Sequence, residues 1–109
     1  MANQIKIIAN IELFEGPNMR QTPFWSTYRP IFEFKGANTK LSGRIDLRDR
    51  EKFFPGTSGI VEVTFLKGMI ENKYFKAGQL FTISEGGKFN LGQGEILEVI
   101  ADTPDSASI

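Results

Sequence analysis

The chain has 109 residues, the length of one domain, and ten Phe, two Tyr and one Trp to fill a single core. It contains no Cys and no His; this excludes disulfides and thiolate chemistry, fits a reducing compartment, and removes the usual proton shuttle and the commonest metal ligand. Thirteen Lys and Arg balance thirteen Asp and Glu, so the basic excess of a general nucleic-acid binder is missing and any RNA contact has to be local, modest or supported by a partner.

The opening MANQIKIIANIELFEG lacks the long apolar run of a signal peptide, and nothing approaches a membrane span. The cytoplasm is the expected location. Within that opening, Ile5, Ile7, Ala9, Ile11 and Leu13 alternate on one face, with Ile8 breaking the opposite polar row, which predicts a strand. EGPNMRQTP reads as a loop on its Gly and Pro content. In TYRPIFEFKG, Tyr28, Pro30, Phe32 and Phe34 alternate with Arg29, Ile31, Glu33 and Lys35, and Pro30 marks a strand start or edge because it has no N–H to donate.

KLSGRIDL predicts one short strand through Leu41, Gly43, Ile45 and Leu47, followed by the charged and then turn-forming RDREKFFPGTSG. GIVEVTFLKGMI is the most hydrophobic strand, rich in β-branched and aromatic residues. ENKYFKAGQ is a loop, LFTISEGG a strand and turn, and GEILEVIA the last strand. Residues 1–101 thus form one domain, and residues 102–109 read as a flexible polar tail. No segment sustains an i, i+3, i+4 apolar pattern; regularly spaced strands with turn signals between them argue for a closed barrel or sandwich.

Few residues carry recognisable chemistry. Glu85-Gly86-Gly87 reads first as a hairpin turn in which glycine accepts positive φ, and second as a place where a partner's backbone approaches closely. GQGE lacks the third glycine, the Lys-Ser/Thr pair and the following helix of a phosphate loop, so a β-bulge or tight corner explains it better. The run RIDLRDREK alternates in sign and reads as a solvated loop. Arg20 and Arg29 stand beside prolines and near Phe24, Trp25 and Tyr28, an environment that suits RNA contact and surface packing equally. Glu95 and Glu98 fall on opposite faces of a regular strand, and Glu33 and Asp46 are the remaining carboxylates that could meet. With neither His nor Cys, no nucleophile–base constellation can be built, and the chain is not expected to be an enzyme.

RQTPF, YRPIFEF, LSGRIDL, FPG and FTISEGGKFNLGQGEI follow one another in this chain. In order and approximate spacing, from about Ile5 to Ile100, they resemble the C-terminal β-barrel domain of translation elongation factor Tu. That family shows an Arg-His-Thr-Pro-Phe run, a Tyr-Arg-Pro-Gln-Phe-Tyr-Phe strand, a Thr-Gly before an Ile strand, a Met-Pro-Gly turn, and Arg-Glu-Gly-Gly followed by Gly-Ala-Gly. The resemblance implies an all-β, six-stranded antiparallel closed barrel whose relatives bind the T-stem backbone of aminoacyl-tRNA, pack on a GTPase domain and contact an exchange factor. Carried over by position, Arg20, Arg29, Ser42, Glu85 and Gly86 are the implied RNA-binding residues.

The chain also departs from that pattern. Gln21 stands for the family's His, Ile31 for Gln, Ser84 for Arg and Lys35 for Arg, and the stretch Ala37 to Lys40 is longer than usual. The expectation is therefore a stand-alone, non-catalytic binding module in translation, with no GTPase domain, cofactor or nucleotide site. Its implied partners are tRNA or, as the alternative, proteins of the translation machinery. Neutral charge, the missing Arg at Ser84 and apolar Ile31 are the features that favour the protein alternative.

Overall fold

A computed structural model describes residues 4–103, with side chains through residue 100. Nine strands follow in chain order: β1 (Gln4–Leu13), β2 (Phe24–Trp25), β3 (Ile31–Phe34), β4 (Lys40–Ser42), β5 (Arg44–Leu47), β6 (Lys52–Phe53), β7 (Ser58–Leu66), β8 (Leu80–Ser84) and β9 (Gly92–Thr103). Among the described residues there is no α-helix, only a 3-10 turn at Asn72–Tyr74. No helix of the described residues is long and apolar enough to cross a membrane. The all-β expectation holds.

Seven strands form one antiparallel sheet in the order β4-β3-β8-β9-β1-β7-β5, and β2 pairs with β6 apart from it. The sheet curls strongly, as a half-barrel, and is not the closed six-stranded barrel expected. The reason is local. The predicted strand Leu41 to Leu47 is interrupted at Gly43, so β4 pairs with β3 while β5 pairs with β7. The two ends of the sheet are therefore neighbouring pieces of chain, but the ladder between them is broken.

The alternation read from the sequence sets the inside of the curl. On β1, Ile5, Ile7, Ala9, Ile11 and Leu13 are buried and meet Phe32, Phe34, Val61, Val63, Phe65, Phe81 and Ile96. Phe65 packs edge-on against Phe32 and Phe34, with ring centroids 5.0 and 5.5 Å apart. Each such buried ring contributes roughly 1.5–3 kcal/mol, so this cluster dominates the attraction that keeps the sheet curled. Ile8 faces outward, yet is only 7% exposed, between Glu62 and Glu98 in the ladder.

β9 spans twelve residues against the ten of β1. The two extra ones, Leu97 and Ile100, bulge at the register shifts opposite Ile8/Ala9 and Lys6/Ile7. Such bulges sharpen local twist and help a sheet to curl. They also correct two readings. Gly92 and Gly94 are not the bulge; a side chain there would strike the carbonyl oxygens of Glu12 and Asn10 at 2.5 and 2.6 Å, so these glycines serve close strand packing. Because of Leu97, Glu95 and Glu98 lie opposite Asn10 and Ile8, which share the outer face of β1; the two acids are thus on one face, not two. Pairing also continues to Thr103, two residues into the predicted tail, and the rest of that tail lies outside the described residues.

Candidate functional site

The β2–β6 pair sets Phe24 opposite Phe53. Tyr28, Phe24 and Phe53 stack in sequence, with centroids 4.2 and 5.2 Å apart. Arg20 closes one end of this column, 4.9 Å from the Tyr28 ring, and Arg50 closes the other, 5.0 Å from Phe53. Each cation lies over an electron-rich face, which favours the arrangement. Arg20 is held further by its own loop: Nε donates to the Thr22 carbonyl at 2.9 Å and Nη2 to the Pro23 carbonyl at 3.2 Å.

Both Arg20 Nη1 and the Tyr28 hydroxyl donate to Oε2 of Glu85. Arg20 and Glu85, 65 residues apart in the chain, thus form one ion pair that ties the loop before β2 to the loop after β8. Burial holds the Tyr28 phenol well above its ordinary range; the hydrogen bond to Glu85 and that residue's negative charge push the same way, against a smaller opposing effect of Arg20. Spacing sets Tyr28 near Arg20 and Arg29 but does not mark it as the third member of this group, because its alternation reads as core.

Next to this ion pair runs an outward-facing row. Ile31 on β3 lies between Ser42 on β4 and Ser84 on β8. Glu85 and Gly86 follow Ser84 directly. Gly86 has φ +90°, the left-handed region anticipated for the turn, and a side chain there would come within 3.8 Å of Ile31 Cδ1. Arg29, exposed and two residues before Ile31, lines a small cavity together with Ser42. The five residues implied by the resemblance are thus linked neighbour to neighbour: Arg20 to Glu85, Gly86 to Ile31, Ile31 to Ser42, and Ser42 to Arg29 across the small cavity.

Two readings of the charged residues change. Part of the run taken for a loop, Arg44 to Leu47, is strand β5, where Arg44 Nε donates to Asp46 at 2.9 Å. Glu33 and Asp46 sit in different ladders, opposite Lys40 and Thr82 in one case and Glu62 in the other, and are not brought together. Among the described residues no group of three or more Asp or Glu gathers as a metal site would need.

A larger concavity, about 650 Å³, lies elsewhere on the outer face. It is lined by Glu12, Glu33, Lys35, Thr82, Gln93 and Glu95, among others, and by none of the five candidate residues. Three acids against one lysine make it unfavourable for phosphates, so its size does not make it the RNA-facing site. A scan against protein-family models finds no match for the chain.

Proposed function

We propose that this protein is a non-catalytic binding module similar to the C-terminal domain of elongation factor Tu, and that it contacts the backbone of an A-form RNA helix such as a tRNA T-stem. One observation carries the reading. Residues from four separated parts of the sequence, Arg20, Arg29, Ser42 and Glu85-Gly86, are linked neighbour to neighbour through Ile31 and the small cavity.

The chemistry suits a ribose–phosphate backbone. A 2′-hydroxyl both donates and accepts, so it can pair with the Ser42 hydroxyl and with the free oxygen of Glu85. Arg29 and the N–H groups of Arg20 not used within the protein can meet phosphate oxygens. Gly86 presents bare backbone where a ribose would press. Because Glu85 offsets Arg20, the patch neutralises few phosphates, and binding has to be weak, with a shallow dependence on salt.

The test is a gel-shift titration with tRNA at low ionic strength. We expect salt-sensitive binding, with a log–log slope of roughly −1 to −2 for one or two phosphates. Arg29→Gln should lower the slope by about one and Ser42→Ala should weaken RNA more than DNA of the same sequence. Absence of salt-sensitive binding removes the proposal. A second reading, docking of a basic protein segment, draws on the acidic concavity at Glu12, Glu33 and Glu95; nuclease-resistant capture of a partner, lost in a Glu33→Lys/Glu95→Lys variant, would select it.

A further inference from the structure

The small cavity beside Ser42 has a composition unlike the rest of this neutral surface. It measures about 210 Å³ and is lined by Gln4, Arg29, Ser42, Arg44 and Thr64, with Phe65 and Leu66 at its apolar side. Its volume is several times the ~30 Å³ share of one water. Among the described residues, two guanidiniums and no carboxylate line it.

The break in the ladder explains why there is space. A side chain at Gly43 would lie 2.5 Å from the Phe65 ring and 2.9 Å from Phe32, so these rings occupy the position under the kink. β4 leaves toward β3 and β5 toward β7, and the outer face opens between them.

Thr64 supplies an independent observation. It faces outward on β7, between Val63 and Phe65 of the core, yet it is only 8% exposed. Its neighbours in the ladder are Lys6 and Arg44. Its hydroxyl is buried and finds no hydrogen-bond partner among the described residues. Leaving such a group unpaired is costly, and one flanked by cations and bordering a cationic cavity is suited to donate its proton to an anion.

The acids near the cavity are already engaged. Glu62 pairs with Lys6 and Arg48 at 3.7 Å, and Asp46 takes the Nε edge of Arg44. Among the described residues, that leaves the terminal nitrogens of Arg44, and the whole Arg29 head, to face an anion.

We infer that this cavity binds a phosphate oxyanion, held by Arg29 and Arg44 with the hydroxyls of Ser42 and Thr64. The planar donor fork of arginine matches tetrahedral oxyanions, and the hydroxyls complete the shell. The inference rests on the backbone-contact reading for the source of the phosphate, an RNA phosphodiester; the oxyanion preference itself rests on the cavity.

Amide-shift titrations of the full chain with inorganic phosphate and with a T-stem RNA duplex separate the two. Saturable shifts at Ser42, Arg44 and Thr64 with inorganic phosphate are expected, and the duplex should compete for them. Arg29→Gln should weaken phosphate binding about tenfold. Thr64→Val should also weaken it several-fold while raising the melting temperature, since it removes the unpaired hydroxyl; Lys76→Gln, a charge loss outside the cavity lining, should change neither.

Phosphate binding without RNA competition upholds the cavity and counts against the RNA reading. RNA binding untouched by Arg44→Gln and Thr64→Val overturns the cavity and spares the RNA reading. No saturable shift with either ligand overturns both.

Discussion

Thr27 is β-branched and sits at φ +76°, a region that such residues rarely adopt. Its N–H donates to the Ile45 carbonyl at 2.8 Å, and the next residue, Tyr28, bridges to Ile45 and reaches Glu85. The strained residue therefore aims Tyr28 at the site. Replacing exposed Thr27 with Asn, which tolerates the left-handed region, should stabilise the protein by about 1 kcal/mol. A rise of roughly 4–8 °C in melting temperature checks this; no change would mean that the backbone relaxes without cost.

Tyr28 itself gives a pH prediction. Its folded pKa is raised above the ordinary value of 10.0. The stability contributed by the neutral phenol is thus present in full below pH 10 and is lost as pH rises through the raised value. Spectrophotometric titration should show one of the two tyrosines ionising late and together with unfolding, and that delayed component should vanish in Tyr28→Phe. A single ordinary titration for both would contradict the burial and the Glu85 contact.

At the scale of elements, Gly43 decides most. It marks where one predicted strand becomes β4 and β5, where the ladder breaks, and where the cationic cavity opens. Gly43→Ala places a methyl group into the Phe65 and Phe32 rings and should cost about 1–3 kcal/mol in denaturant unfolding. Gly87→Ala, with nothing within 4 Å, is the control and should stay within about 0.5 kcal/mol. Equal effects at the two positions would mean that the rings move aside freely.

The same elements show what the sequence made legible. Alternation located β1, β7 and β8 because one face of each is buried and the other is not. Pro30 marked the start of β3 because proline cannot donate to a ladder. The bulges at Leu97 and Ile100 were hidden, since an extra residue shifts the alternation without changing composition, and the faces of Glu95 and Glu98 were misread for that reason. β2 and β6, two residues each, are too short to carry any period. Thr64 and Arg44 were passed over because their significance lies in cross-strand neighbours, which local spacing does not encode.

For the molecule as a whole, the charge is zero, so affinity for a polyanion has to come from how charge is distributed. The curled sheet separates it: Arg29 and Arg44 border one cavity, whereas Glu12, Glu33 and Glu95 line the large concavity on the same outer face. The two surfaces suit opposite partners. The candidate residues were legible only through resemblance to a family, since each piece reads as ordinary turn or strand chemistry. Their contiguity became visible only with the topology, because it depends on β3 lying between β4 and β8.

Chemical-shift mapping of the intact protein with a T-stem RNA duplex tests the central claim most directly. The account predicts saturable, salt-sensitive shifts at Ile31, Ser42, Ser84, Glu85 and Gly86, weakened by Arg29→Gln. Shifts confined to the surface around Glu12, Glu33 and Glu95, or no shifts at low ionic strength, would contradict it.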